Sequence, residues 1–196
     1  MNRLFIVVAS LALLLDQATK VWARFASEGV EGRSLFVVWP RVFELKLVYN
    51  EGIAFGMFQG AGVFLTPIAA LIAIGAAWYS FRHPQEPRST HLTMALLCAG
   101  ALGNMIDRVL FGKVTDMMWF RAIDFPVFNI ADVCITIAGV MLAASVVIEL
   151  FQRGDQDPPT ADMTPVGLTD EALAEGLEWP DPTEPGRPLP EPIPEP

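Results

Sequence analysis

GAGVFLTPIAALIAIGAAWYSF, residues 60–81, runs for 22 residues without a formal charge. A helix needs about 20 mostly apolar residues to cross a bilayer, so this stretch predicts a membrane-spanning helix. Three further runs repeat the pattern. IADVCITIAGVMLAASVVIELF (130–151) carries only Asp132 near its start and Glu149 near its end. Leu92–Ile106 is uncharged and continues past Asp107 and Arg108 to Phe111. Leu4–Leu15 is apolar and continues through Asp16 and Lys20 toward Phe25. A cleaved signal peptide would show a small-x-small site after this first run, but Asp16-Gln17 follows it instead, so the helix is expected to be retained. The reading is an all-α integral membrane protein with four transmembrane helices, at about 4–25, 60–81, 91–111 and 130–151.

The formal net charge of −9 describes the end of the chain rather than this apolar part. Most of the 16 prolines and many of the acids follow Arg153. Such a segment buries too little apolar surface to offset its chain entropy. Residues 1–152 are therefore expected to be the membrane domain and 153–196 a disordered tail. Cys98 and Cys134 both fall inside expected helices, where they read as small packing residues.

The connections differ in character. Residues 27–59 join helices one and two, and Phe43-Glu44-Leu45-Lys46-Leu47 alternates as a half-buried strand does. This predicts a small extramembrane β element there, with a turn at Asn50-Glu51-Gly52. A strand over Phe43–Tyr49 is also expected to accept an extended peptide by strand addition. The connection of residues 82–90 is short, with His83 and His91 placed on that side. Positive-inside counting gives Arg3, Arg82, Arg88 and Arg153 on the side of the termini. Opposite them stand Arg24, Arg33, Arg41, Lys46, Arg108, Lys113 and Arg121. By charge alone the termini would face outward.

Ionisable groups inside spans are costly, by about 2.5–3.5 kcal/mol each on insertion scales, and they concentrate at functional sites. Four clusters stand out. Asp16 and Lys20, at i and i+4, share one helix face; they form either a self-neutralising pair between helices or part of a site. Asn50-Glu51-Gly52-Ile53-Ala54-Phe55-Gly56 is either an ordinary turn or a place where backbone approaches a ligand, with Gly52 permitting it. Asn104, Asp107 and Arg108 share a face near the end of the third helix, where Asp107 and Arg108 read as a structural pair. Asp116 follows Gly112-Lys113-Val114-Thr115 outside that helix, without an evident partner. Asn129 and Asp132 are spaced as a capping box at the start of the fourth helix, and Asp132 is equally placed for chemistry.

Together LDQATK (15–20), NEGIAFG (50–56), GNMIDR (103–108) with GKVTD (112–116), and FNIAD (128–132) resemble, in order and placement, the blocks of the lipoprotein signal peptidase family (signal peptidase II, peptidase family A8). The resemblance covers about residues 1–152. It departs at Val114-Thr115-Asp116-Met117, where the family often has Val-Val-Asp-Phe. It implies an aspartic endopeptidase of the bacterial inner membrane, without cofactor or metal, with both termini cytoplasmic and the site at the periplasmic side. Asp116 and Asp132 would be the catalytic pair, with Asp16, Lys20, Asn50, Gly52, Asn104, Asp107, Arg108 and Asn129 around them. The implied substrates are diacylglyceryl-modified prolipoproteins, cut just before the lipidated cysteine. Membrane lipid and globomycin-type inhibitors are the other implied partners, and nucleic acid is not one.

Two carboxyls in one site suit peptide hydrolysis, because they do not both ionise easily and one keeps a proton. Neither the cysteines nor the histidines compose a triad or a zinc set with their neighbours. A small ion- or proton-coupled transporter would use the same buried charges, but should show repeats or broken helices. An assembly factor would use the Pro-rich tail as an extended ligand.

Overall fold

The computed structural model describes residues 3–52 and 62–154. The tail beyond residue 154 and residues 53–61, including the Ile53–Gly56 part of the second cluster, lie outside the described residues. The chain divides into two compact units, Met1–Phe151 and Gln152–Pro196.

Among the described residues, four helices are long and apolar enough to cross a membrane. They are α1 (Arg3–Ala26), α2 (Gly62–Arg82), α3 (Arg88–Phe111) and α4 (Ile130–Gly154). Their outer surfaces carry exposed side chains such as Leu11, Leu14, Leu71, Ile74, Val140 and Leu150. Apolar surface on this scale is unfavourable in water and matches hydrocarbon. The interior is built from small residues. Phe5, Ala69, Ala73, Ala76, Ala95, Cys98 and Ala101 form the seam between α1, α2 and α3. Small side chains let membrane helices approach closely when no hydrophobic effect drives them together. Two glycines of α3 make room for close neighbours, one on α4 and one on α1. A Cβ on Gly100 would sit 2.5 Å from the Ala131 carbonyl oxygen, and one on Gly103 would run into the Asp16 carboxylate.

The β element is larger than expected. Strands β1 (Ser34–Trp39) and β2 (Phe43–Asn50) form an antiparallel hairpin. Strand β3 (Val114–Phe120), from the connection between α3 and α4, adds antiparallel to β2, giving the order β1-β2-β3. Leu47 and Met117 seat the sheet on Ala23, in the last turn of α1. Because β2 is central and paired on both sides, it has no free edge for a peptide. The strand-addition expectation for Phe43–Tyr49 is therefore wrong.

His91 also departs from expectation. Helix α3 starts at Arg88, directly after Pro87, so His91 is a buried helical residue and not part of a loop. Its Nδ1 lies 2.9 Å from the Ser80 hydroxyl of α2.

Candidate active site

Gly112 shapes the approach to the site. It ends α3 in the left-handed region, at φ +73°, with its N–H donating to the Arg108 carbonyl. Glycine takes this conformation without steric cost, and it is the usual way a helix stops. The chain then enters β3, whose register sets Asp116 opposite Val48 and Val114 opposite Asn50. The Asn50 amide donates to Asp116 Oδ2 at 3.2 Å, while its own oxygen accepts the Gly52 N–H at 3.0 Å.

A second contact brings Asp132 to the same place. Met118 and Phe128 exchange backbone hydrogen bonds, which fixes the entry to α4 against β3. Asn129 follows at once and is fully buried. Its side-chain oxygen accepts the Asp132 N–H at 3.0 Å, and Asp132 Oδ2 accepts the Asn129 N–H at 3.1 Å. This is a reciprocal capping box in which Asp132 takes the place usually held by glutamate. The Asn129 amide reaches the other way, donating to Asp116 Oδ1 at 2.6 Å. One asparagine thus holds both carboxyls. Asn104 completes the frame, donating to Asp132 Oδ1 at 2.8 Å and accepting from Asn129 at 3.1 Å.

Behind this frame lies a charged layer. Lys20 is completely buried. Its ammonium meets Asp16 at 3.0 Å, the Asn104 oxygen at 2.8 Å and the Gly103 carbonyl at 3.2 Å. Asp16 in turn accepts the Ala131 N–H at 2.9 Å, placing a carboxylate on the first turn of α4, where the helix dipole favours it. Asp16-Lys20 is therefore an interhelical anchor. Asp107 pairs with Arg24 at 3.3 Å and lies 4.0 Å from Lys20. The expected Asp107–Arg108 pair is replaced by these contacts. Adjacent helical residues point about 100° apart and do not face each other. Arg108 turns instead to the Gly52 carbonyl, at 3.3 Å, and toward Asp132 and Asp116.

Asp116, Asp132, Asn50, Gly52, Asn104 and Arg108 all open onto one cavity of about 640 Å³. The rest of its wall is mainly apolar and comes from α2, α3, α4 and the 125–128 segment; Ile68, Ile72, Leu97 and Val133 are among its residues. Asp16, Lys20 and Asp107 stand outside that wall. Burial pushes the Asp116 carboxyl up to about 7, and the neighbouring Asp132 carboxylate adds to the shift. The amides of Asn129 and Asn50 oppose it by donating to the anion.

Sequence reading missed Arg24 and Gln17. Arg24 lies four residues beyond Lys20 on the same helix face, and that spacing is a signal that could have found it. Gln17 donates to Asp16 at 3.0 Å and to the Gly103 carbonyl at 3.1 Å, stitching α1 to α3.

The model for signal peptidase (SPase) II matches residues 8–148. The chain is 41% identical over 136 residues to the lipoprotein signal peptidase of Gloeobacter violaceus, covering 69% of this chain and 77% of that one. It is 40% identical over 144 residues to the lipoprotein signal peptidase of Microcystis aeruginosa, covering 74% and 92%. Among solved structures, a bacterial membrane enzyme determined by the in meso method at 2.3 Å aligns with a TM-score of 0.69 and 31% identity. That alignment covers 79% of this chain and 93% of that one. The four-helix fold, the cavity and these matches agree: the chain belongs to the signal peptidase II family, a family of multi-pass membrane peptidases.

Proposed function

We propose that this protein removes signal peptides from diacylglyceryl-modified prolipoproteins by aspartic catalysis, cutting just before the lipidated cysteine. The observation that carries the reading is the Asn129 bridge, which holds Asp116 and Asp132 on the wall of one mainly apolar cavity. One carboxylate takes a proton from water as the water attacks the scissile carbonyl, while the protonated partner donates to the carbonyl oxygen. The roles then reverse, and a proton passes to the leaving amine as the C–N bond breaks. The two carboxyls titrate as a unit, so the shared proton belongs to the pair.

Arg108 stands at the same wall, and its buried Nε meets no acceptor among the described residues. It is placed to donate to a substrate carbonyl. The apolar wall suits the acyl chains and the hydrophobic part of a signal peptide, and it is also where a globomycin-type cyclic peptide would sit. The transporter alternative is not supported, because the family is one of peptidases.

The orientation belongs to the same proposal: termini cytoplasmic, active site periplasmic, residues 153–196 an appended cytoplasmic segment. The charge count that opposed it weakens once two of the seven cations are placed. Arg24 is engaged by Asp107, and Arg108 is part of the cavity wall, so neither acts as a loop charge.

The test is cleavage of a purified diacylglyceryl-modified prolipoprotein by the full-length protein in lipid, beside folded Asp116→Asn and Asp132→Asn variants. Wild-type release of the signal peptide with both variants inactive is expected. Cleavage by either variant at the wild-type rate would overturn the assignment of the pair.

A further inference from the structure

Asp116 is held by the amides of Asn50 and Asn129, but a strand residue is also fixed by its neighbours along the chain. Thr115 directly precedes it and points to the opposite face, since side chains alternate along a strand. That face meets α1 and α3. The Thr115 hydroxyl accepts from Arg24 Nη1 at 2.7 Å. The Thr115 N–H donates to Asp107 Oδ2 at 2.8 Å. Arg24 and Asp107 are themselves paired at 3.3 Å, so the three residues close a ring of polar contacts. Asp107 and Thr115 are buried, and Arg24 keeps 19% of its side chain exposed. The Arg24 guanidinium also lies over the Phe111 ring, 4.5 Å from its centroid, which limits its freedom at the end of α3.

We infer that Arg24 is a positioning residue for the reaction: through Thr115 it locks the strand that carries Asp116 to α1 and α3. The ring fixes Thr115 at both its main chain and its side chain, so β3 cannot slide along β2 or rotate about its own axis. Displacing a reacting group by about 1 Å can cost on the order of a hundredfold in rate. Arg24 and Thr115 stand outside the cavity wall, so their loss should leave substrate binding alone.

The inference rests on Asp116 being one of the reacting pair. The experiment compares Thr115→Val, Thr115→Ser, Arg24→Gln and the double variant Arg24→Gln/Thr115→Val in the prolipoprotein assay, with Asp116→Asn alongside. Valine keeps the shape of threonine and removes the acceptor; serine keeps the acceptor. Thr115→Val is expected to lower kcat by about tenfold with KM unchanged, as loss of a charge-assisted hydrogen bond would. Thr115→Ser should restore most of the rate. Arg24→Gln should lose at least as much, and the double variant should be no slower than Arg24→Gln alone, because both changes break one interaction. Wild-type kcat in folded Thr115→Val, or losses that multiply in the double variant, would overturn the inference. A rise in KM at constant kcat would do so too. If Thr115→Val does not fold, Thr115→Ser decides with Arg24→Gln: a slow serine variant contradicts the role of the hydroxyl. An active Asp116→Asn would instead remove the underlying reading of the pair.

Discussion

Raising the pH from 5 to 8 should weaken the wild-type fold relative to Asp116→Asn. An Asp carboxyl in the unfolded chain releases its proton near 3.8, whereas the buried carboxyl of Asp116 holds it to about 7. Between these values the folded state binds one proton more than the unfolded state, so stability falls as pH rises. The full loss is about three pH units at 1.36 kcal/mol each, or about 4 kcal/mol, reached by pH 7 and constant above it. Asp116 sits on a strand outside the helices, so unfolding of the sheet returns it to water even if the helices persist. Asparagine is neutral throughout and removes one proton site from the coupled pair, and groups remote from the pair cancel in the difference. The measurement is unfolding by sodium dodecyl sulfate in mixed micelles, followed by near-ultraviolet circular dichroism at pH 4, 5, 6, 7 and 8. The advantage of Asp116→Asn should grow by roughly 1.4 kcal/mol per unit over the lower part of the range and level off near 7. The same proton should appear in catalysis, with kcat/KM falling on the alkaline side as the pair becomes doubly ionised. A constant difference between the two proteins from pH 4 to 8 would refute burial as the force that keeps Asp116 protonated.

Two further outcomes test the scaffold. Lys20→Met leaves the buried Asp16 carboxylate without its 3.0 Å partner, and should lower stability by about 3–5 kcal/mol in the same unfolding assay. Adding Asp16→Asn should recover a large part of that loss, because the uncompensated charge is then gone. Gly103→Ala places a methyl group on the Asp16 carboxylate and 3.2 Å from Ala131 Cβ, so thermal unfolding should move down by the equivalent of about 1–3 kcal/mol. Gly75→Ala, where an added Cβ meets nothing within 4 Å, should not lower it and serves as the control.

The helices were legible because uncharged runs of this length have few other uses. The strand Phe43–Leu47 was legible from its alternation, although its central position in the sheet was not. Strand β3 was opaque for a physical reason. VTDMMWF neither alternates cleanly nor carries a turn signal inside it, and its partner strand lies some 70 residues earlier in the chain. Without that pairing Asp116 read as an isolated loop carboxylate. With it, the register delivers Asn50 to Asp116. Asp132 shows the opposite case: the capping reading and the site reading are both correct. The cap fixes the side chain through Asn129, and the same asparagine reaches Asp116. Asp107 and Arg108 are adjacent in sequence but do not pair, because the helix points them to different neighbours.

The charges at this end of the bundle set a condition on the chemistry. Asp16 is matched by Lys20, and Asp107 by Arg24. Asp116 and Asp132 then face Arg108, the one cation on the cavity wall among the described residues, while Lys20 acts on them from behind the wall. One guanidinium neutralises one carboxylate. A second anion in the same low-dielectric space would stand unpaired at high cost, so the pair reaches neutrality by keeping a proton. That state is also the one hydrolysis needs, with a base for water and an acid for the carbonyl oxygen present together. A second cation beside the pair would favour ionisation of both aspartates and leave no proton to donate. Under the proposed aspartic mechanism, the scarcity of positive charge on the cavity wall keeps the donor proton in place.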